Sequence, residues 1–217
     1  MSAIMEHKQN KLDAILRLAP VVAVVVIDAL SDAVPLARAL VTGGIKAIEV
    51  TLRTPVALDV IRAIAAEVED ATVGAGTILN AVDLAAAEHA GAQFAVSPGA
   101  TPALLAAAED SALPYLPGAA TVAEAMTLQE AGYCLQKFFP ASYAGGVDLL
   151  RALAAPLPGI RFCPTGGITV STAPQWLALP NVVCIGGSWL TAPAIVRAQN
   201  WTEVEKLARE AALLGRS

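Results

Sequence analysis

The chain has little charge and few metal-binding side chains, and these shortages exclude several classes of protein. Charged residues make up 15% of the 217 residues, the formal net charge is −5, and lysine and arginine form no cluster. Proteins that bind nucleic acid or anionic lipid need a basic surface, so we expect neither partner. Only two histidines are present, which leaves almost no basis for a histidine-based metal site or a catalytic triad.

Cysteine is also scarce, and no hydrophobic run is long enough to cross a bilayer. Cys134, Cys163 and Cys184 are odd in number, widely separated and set among apolar residues, a pattern typical of buried thiols in a reducing compartment. The one apolar run that could imitate a signal peptide, residues 21–27, is far too short for a membrane span. We therefore predict a cytoplasmic protein without a membrane partner.

What the chain does contain is apolar sequence with a regular rhythm of strands and helices. Hydrophobic residues make up 56% of it, which is typical of a compact globular domain. An amphipathic leading helix is predicted within residues 1–19. Eight predicted strands then alternate with helices, over residues 21–27, 47–52, 72–77, 94–97, 115–116, 135–139, 161–164 and 182–185. The predicted helix-capping residues are Ser31, Asn80, Thr101 and Thr121.

This alternation predicts a parallel sheet covered on both faces, either an open doubly wound sheet or a closed barrel. The count of eight favours an α/β fold of the (β/α)8 TIM barrel type, and so do polar and glycine-rich residues at the ends of several different strands. The first strand-to-helix turn, residues 27–31, contains no glycine, which excludes the dinucleotide-binding fingerprint. We expect one domain over residues 1–217, with the leading helix in 1–19 and the barrel in 20–217.

The sixth predicted strand carries a lysine among apolar residues. Side chains of a strand alternate between two faces, so Lys137 shares its face with Leu135 and Phe139. Burial disfavours the charged form of an amine, which favours the free amine that attacks a carbonyl. Lys137 is therefore a candidate for Schiff-base formation. The alternative is a lysine near a strand end whose ammonium group reaches water along its own stem.

The second predicted strand has the sharpest alternation in the chain, with Glu49, Thr51 and Arg53 on one face and apolar residues on the other. The apolar face should meet the helices, so the polar face should lie inside the barrel, where branched aliphatic residues are usual. One interpretation is an internal ion pair between Glu49 and Arg53. If Lys137 faces the same interior, the set suits a 2-oxo acid: Arg53 binds its carboxylate, Lys137 attacks its carbonyl and Glu49 moves protons.

Further candidates lie at the ends of other strands. Thr77 follows Gly74 and Gly76, small residues that let a ligand approach the backbone, and Phe139 would shield Lys137 from water. Two glycine-rich segments follow the seventh and eighth strands, where barrels usually bind a phosphate through backbone N–H groups. Ordinary turn glycines are the alternative. The two segments are Thr165-Gly166-Gly167 and Gly186-Gly187-Ser188.

Six segments keep the order and spacing of the motifs of a known enzyme family. They are Glu49-Val50-Thr51-Leu52-Arg53, Gly74-Ala75-Gly76-Thr77, Ser97-Pro98-Gly99, Lys137-Phe138-Phe139-Pro140, Arg161-Phe162-Cys163-Pro164-Thr165-Gly166-Gly167-Ile168 and Cys184-Ile185-Gly186-Gly187-Ser188-Trp189-Leu190. They resemble the 2-keto-3-deoxy-6-phosphogluconate (KDPG) and 4-hydroxy-2-oxoglutarate (KHG) aldolases. The resemblance implies a (β/α)8 barrel that forms a homotrimer, and a class I aldolase without metal or cofactor. The implied reaction, a step of the Entner-Doudoroff pathway, cleaves a phosphorylated 2-oxo acid, 2-dehydro-3-deoxy-6-phosphogluconate, to pyruvate and glyceraldehyde 3-phosphate.

The same resemblance implies roles for individual residues. Lys137 is similar to the Schiff-base lysine, and Glu49 to the acid/base that acts in carbinolamine formation and enamine protonation. Arg53, Thr77, Pro98 and Phe139 would contact the pyruvate part of the substrate, and Thr165, Gly166, Gly167, Gly187 and Ser188 its sugar and phosphate part. The sequence departs from the family pattern at residues 119–120 and 141–143, and we expect these departures to adjust the loop rim without touching the imine chemistry.

Other functions stay open on the sequence alone. Within the aldolase hypothesis, the resemblance implies 4-hydroxy-2-oxoglutarate as a second substrate, and the galactonate-derived epimer is an alternative as the preferred substrate. A phosphosugar isomerase or epimerase on the same barrel would use Glu49 as its proton-transfer base and Lys137 only as an electrostatic partner. A catalytically silent phosphate-binding barrel is the third hypothesis.

Overall fold

The computed structural model describes residues 3–215; the predicted domain also includes residues 1–2 and 216–217, which lie outside the described residues. The strands are β1 (Val21–Val25), β2 (Ala47–Thr51), β3 (Thr72–Gly76), β4 (Ala95–Val96), β5 (Tyr115–Leu116), β6 (Gly118–Ala119), β7 (Leu135–Phe138), β8 (Arg161–Pro164) and β9 (Ile185–Gly187). The α-helices are α1 (Ala3–Leu16), α2 (Ala33–Thr42), α3 (Ala57–Glu67), α4 (Ala81–His89), α5 (Pro102–Asp110), α6 (Val122–Glu130), α7 (Gly146–Leu153), α8 (Ala173–Leu177), α9 (Pro193–Arg197) and α10 (Trp201–Ala212). Short 3₁₀ helices cover Leu30–Asp32 and Trp189–Thr191.

The strands pair in parallel, which confirms the predicted α/β fold. Six strands form one sheet in the order β5-β4-β3-β2-β1-β9, and three form a second sheet in the order β6-β7-β8. Pro117 lies between β5 and β6, and its lack of an N–H interrupts the ladder. Parallel bridges join Phe162 to Val182 and Thr165 to Gly186. The ladders thus form a curled sheet in two parts. The predicted barrel would require one continuous ring of eight strands, and the ladders do not form such a ring.

Local sequence explains where several helices begin, with one exception. The side chains of Asn80, Thr101 and Thr121 accept hydrogen bonds from backbone N–H groups three residues on, which confirms these predicted caps. The prediction for Ser31 is wrong, because residues 30–32 form a 3₁₀ turn and α2 begins at Ala33 without a side-chain cap. The short elements β6, α8 and α9 were not predicted, since segments this short carry no periodic pattern.

Strand ends also differ from the predicted ones. β1 ends at Val25, two residues before the end of the apolar run, because Val26 is exposed and Ile27 packs beyond the ladder. β9 begins at Ile185, whereas the predicted strand begins at residue 182; Val182 pairs with Phe162 only in an isolated bridge. An apolar run indicates burial, and burial extends past the residues that pair in a ladder.

The apolar core lies on both faces of the strands. Ile48 and Val50 of β2 pack in the outer layer with the helices. The inner cluster contains Val22, Phe94 and Leu135, together with residues of α1 that cover the N-terminal ends of the strands. The predicted alternation therefore sorts the side chains of the strands into an outer layer and an interior.

Helix α1 is tied to the strand that carries Lys137. The side-chain oxygen of Gln9 accepts hydrogen bonds from the backbone N–H groups of Cys134 and Leu135, each at 3.0 Å. Lys8 donates to the carbonyls of Ala108 and Glu109 at the end of α5. The Gln9 contacts fix the N-terminal end of β7, and the Lys8 contacts tie α1 to α5. No helix among residues 3–215 combines the length and the apolar character that crossing a membrane requires.

Two of the three cysteines lie inside the inner cluster. Cys163 and Cys184 are buried there, and both are free thiols. The hydrogen bond with the Cys163 thiol, together with burial, raises the pKa of Cys184 well above its ordinary value. A thiol of this kind stays protonated and unreactive at neutral pH. Burial is thus confirmed for this pair, whereas Cys134 is only partly buried.

Candidate active site

Lys137 and Glu49 meet in the interior, although they come from strands that are not neighbours. Lys137 Nζ donates a hydrogen bond to Glu49 Oε1 at 3.0 Å, and the two residues are only 4% and 3% exposed. The alternative in which the lysine reaches water is therefore wrong. Because a buried ion pair is weak evidence for stability, this pair indicates a functional site. At this distance a proton can pass directly between the amine and the carboxylate.

The alternation of β7 explains why Lys137 points inward. Gln136, its neighbour in the chain, points to the helices and donates to the carbonyls of Ala125 and Tyr133, each at 2.9 Å. Phe138 packs edge-to-face on Phe162 in the outer layer, with ring centroids 6.2 Å apart. With both neighbours anchored outside, the side chain of Lys137 is directed into the interior.

The Glu49 side chain has room in the interior because the neighbouring strand, β3, carries glycine at position 76. A Cβ atom on Gly76 would lie 2.2 Å from Glu49 Oε1 and 2.5 Å from its Cγ, far closer than atoms can approach. Gly76 pairs with Thr51 in the β2–β3 ladder, two residues beyond the pair of Glu49 with Gly74 and on the same face as Gly74. The carboxylate therefore occupies the space that a side chain at position 76 would need.

We expect Gly76→Ala to lower kcat by about ten- to hundredfold, because the added methyl group displaces the Glu49 carboxylate from Lys137 and misplacements of about 1 Å are this costly. Steady-state kinetics of the variant will measure the effect. Gly99→Ala is the matched control, since a Cβ at Gly99 meets no atom within 4 Å. Unchanged kcat in folded Gly76→Ala protein would contradict the role assigned to this glycine.

Arg53 is held by Thr77, and Glu49 is not its partner. Arg53 Nε donates to Thr77 Oγ1 at 3.1 Å, and Thr77 adopts the left-handed conformation with φ of 60°. A β-branched residue in this region is strained by about 1–3 kcal/mol, and such strain is concentrated at functional sites. Among residues 3–215 the ion pair of Glu49 is with Lys137, so the interpretation of an internal Glu49–Arg53 pair is wrong. The terminal guanidinium nitrogens of Arg53 stay available for an anion.

The other polar residue of β2, Thr51, has a structural contact. Its hydroxyl group is buried and donates to the carbonyl of Val25 at 3.0 Å, which links β2 to β1. Of the three polar residues on this predicted face, Thr51 therefore bonds to the backbone, whereas Glu49 and Arg53 bond to the side chains of Lys137 and Thr77.

Phe139 and Pro98 lie around the lysine. Lys137 Nζ is 5.3 Å from the centroid of the Phe139 ring, within the range of a cation–π contact. A Cβ on Gly118 would lie 2.3 Å from the carbonyl of Pro98, and Gly118 pairs with Lys137 in the β6–β7 ladder. Gly118 therefore lets Pro98 approach the site. Sequence reasoning missed this role, and its one signal was the Pro117-Gly118 pair.

The predicted phosphate-binding segments lie at the C-terminal ends of β8 and β9. Gly166 and Gly167 have φ of 104° and 74°, and a Cβ on Gly186 would lie 2.2 Å from Thr165 Oγ1. Thr165 is buried and Ser188 is exposed. Positive φ suits a turn glycine and a backbone anion site alike. The phosphate role of these segments, including Gly187, stays a prediction.

A cavity lies at the end of β1, where Val24 and Val26 line it. It has a volume of about 270 Å³ and is lined by Arg53, Ser188, Asp28 and Arg197, among others. Neither Asp28 nor Arg197 was predicted to belong to the site, because no pattern in the sequence marks either residue. Among residues 3–215, no group of three or more histidine, cysteine, aspartate or glutamate side chains is arranged to hold a metal ion.

Comparisons with known proteins agree on one family. The family profile described as KDPG and KHG aldolase matches residues 12–207. The KHG/KDPG aldolase of Escherichia coli is 50% identical over 207 residues, which cover 95% of this chain and 97% of that protein.

Two solved structures are similar. The KDPG aldolase of Zymomonas mobilis with 3-phosphoglycerate has a TM-score of 0.91 and 43% identity, over 96% of this chain and 98% of that one. The KDPG aldolase of Legionella pneumophila, with pyruvate captured as a covalent carbinolamine, has a TM-score of 0.90 and 42% identity, over 92% and 97% of the chains. This chain belongs to the KDPG and KHG aldolase family.

Proposed function

We propose that this chain is a class I aldolase that cleaves 2-dehydro-3-deoxy-6-phosphogluconate to pyruvate and glyceraldehyde 3-phosphate through a Schiff base on Lys137. The observation that carries the proposal is the buried contact of 3.0 Å between Lys137 Nζ and Glu49 Oε1. It places a nucleophilic amine beside a group that can accept and return its protons. Membership of the KDPG and KHG aldolase family supports the same reaction.

The chemistry follows from these residues. Arg53 binds the substrate carboxylate through its guanidinium, and the Lys137 amine attacks the adjacent carbonyl carbon. Starting from the ammonium form of Lys137, Glu49 carries two protons in turn from nitrogen to the former carbonyl oxygen, first to free the amine and form the carbinolamine and then to expel that oxygen as water, which gives a protonated imine. Glu49 then removes the proton of the C4 hydroxyl, and the electrons of the C3–C4 bond move into the imine to form an enamine. The aldehyde departs, Glu49 protonates the enamine carbon, and hydrolysis releases pyruvate.

A second substrate follows from the same chemistry. The substrate 4-hydroxy-2-oxoglutarate also carries a hydroxyl two carbons from its 2-oxo group, so the imine on Lys137 would cleave it to pyruvate and glyoxylate. The name of the Escherichia coli relative, KHG/KDPG aldolase, supports this reaction. The galactonate-derived epimer and the phosphosugar isomerase hypothesis have no comparable support.

The proposal also covers the residues that contact the substrate, the closure of the barrel and the assembly of the protein. Thr77, Pro98 and Phe139 would line the pyruvate part of the site, and Thr165, Gly166, Gly167, Gly187 and Ser188 the phosphate part. We propose that the two sheets together form a closed (β/α)8 barrel, with β5 and β6 as one strand interrupted at Pro117 and the two bridges joining β8 to β9. A single domain over residues 1–217, a homotrimer, a cytoplasmic location and independence from metal and cofactor complete the proposal. Light scattering after size-exclusion chromatography will measure the number of subunits.

One assay tests the reaction. Pyruvate release is measured on one preparation from both C4 epimers of the phosphorylated substrate and from 4-hydroxy-2-oxoglutarate, with and without EDTA. We expect the gluconate-derived substrate to react fastest and EDTA to have no effect. The absence of pyruvate release from all three substrates would contradict the proposed function.

A further inference from the structure

The cavity lined by Arg53 and Ser188 lies against β1, the strand that pairs with the strand carrying Glu49. Val24 lines it and pairs with Glu49 in the β1–β2 ladder. Val22 shares the face of Val24 and belongs to the inner cluster. A ligand in this cavity of about 270 Å³ would thus contact β1 at Val24, the residue that pairs with Glu49.

Two guanidinium groups line the cavity from different elements. Arg53 follows β2, and Arg197 is the last residue of α9. Among residues 3–215, Arg197 has no hydrogen bond or ion pair with another side chain, so its donors are free. Arg53 donates to Thr77 only through Nε. Ser188, a predicted phosphate contact, lines the same cavity and adds a hydroxyl donor.

The cavity also contains one opposing charge. Asp28 lines it, and within residues 3–215 this carboxylate forms an ion pair with neither arginine. Two guanidinium groups against one carboxylate leave the lining with a net positive charge. An unpaired guanidinium beside such a cavity suits a phosphate, whose oxygens match the paired N–H donors of arginine.

We propose that Arg197 binds the phosphate of the substrate and is a specificity-determining residue for phosphorylated 2-oxo acids. This inference rests on the proposed aldolase function. Arg53 would hold the carboxylate at one end of the substrate, and Arg197, with Ser188, the phosphate at the other. Because Arg197 contacts a part of the substrate that does not change during bond cleavage, it contributes equally to ground-state and transition-state binding. Its loss should therefore raise KM and leave kcat nearly unchanged.

The test compares Arg197→Gln with wild type on two substrates that differ only in the phosphate, 2-dehydro-3-deoxy-6-phosphogluconate and 2-dehydro-3-deoxygluconate. We expect the KM for the phosphorylated substrate to rise about tenfold, as for the loss of one charge-assisted hydrogen-bonded contact, and kcat to change less than about twofold. The KM for the unphosphorylated substrate should not change. Inorganic phosphate should inhibit the variant more weakly than the wild type, and Arg197→Lys should recover part of the affinity.

Arg62→Gln is the matched control, because this exposed arginine on α3 pairs with Asp59 and does not line the cavity. An unchanged KM for the phosphorylated substrate in Arg197→Gln would overturn the inference, and so would an equal rise for both substrates. Borohydride trapping of pyruvate separates the two proposals. If wild type and Arg197→Gln both trap pyruvate while KM does not move, only the role of Arg197 is wrong. If wild type traps none, the aldolase function itself fails.

Discussion

Lys137→Arg should abolish carbon–carbon bond cleavage, with kcat lowered by about 10⁴-fold or more, the scale seen when a covalent nucleophile is removed. Arginine keeps the positive charge beside Glu49, but its guanidinium stays protonated and cannot form an imine. The phosphosugar isomerase hypothesis makes the opposite prediction, because there the lysine acts only through its charge. Pyruvate release by the variant, followed with a coupled assay, distinguishes the two.

Two comparisons make this result interpretable. Lys46→Arg is the matched control, since Lys46 is an exposed lysine that pairs with Asp70 on the surface, and its activity should equal that of the wild type. Circular dichroism will show whether the Lys137 variant is folded, because the longer guanidinium must fit a buried site. A folded Lys137→Arg protein with substantial activity would contradict the imine mechanism.

Glu49→Gln should lower kcat by about 10²- to 10⁴-fold, the usual contribution of a general acid–base group. Glutamine has nearly the same shape and can still accept a hydrogen bond from Lys137, but it cannot carry protons between nitrogen, oxygen and carbon. The sharpest measurement is the exchange of pyruvate methyl protons with deuterium, which reports enamine protonation without any cleavage. We expect this exchange to slow as much as kcat does.

The control for this variant is Glu69→Gln, an exposed carboxylate remote from the interior, which should leave exchange and cleavage unchanged. Exchange at the wild-type rate in Glu49→Gln would show that another group protonates the enamine. Slow cleavage with fast exchange would limit Glu49 to the steps before and during bond breaking, and would contradict its role as the single proton carrier.

The strand face on which Glu49 lies could be predicted, because alternation along a strand encodes its two faces locally. Alternation predicted that the polar face of β2, with Glu49, lies inside the barrel, and it put Lys137 on one face with apolar neighbours. It left open whether Lys137 faces the same interior or reaches water. The distance between Glu49 and Lys137 could not be predicted, because β2 and β7 are brought together by the curvature of the sheet. For the same reason an internal ion pair of Glu49 with Arg53 was an open alternative, since the two residues lie on one predicted face of the same strand.

Contacts that depend on turns and on short helices could not be predicted from the sequence. The left-handed conformation of Thr77, which directs its hydroxyl to Arg53, has no signature in a threonine. Arg197 ends a helix of five residues, too short to show a periodic pattern, and its place in the cavity depends on how that helix packs. Family resemblance supplied the roles of the glycine segments, which turn geometry alone leaves open.

The most direct test is to reduce the protein with borohydride in the presence of pyruvate and to map the modified peptide by mass spectrometry. We predict one permanent adduct, located on Lys137, and none in Lys137→Arg. An active preparation that carries no adduct, or carries it on a different lysine, would contradict the assignment of Lys137 as the group that forms the Schiff base.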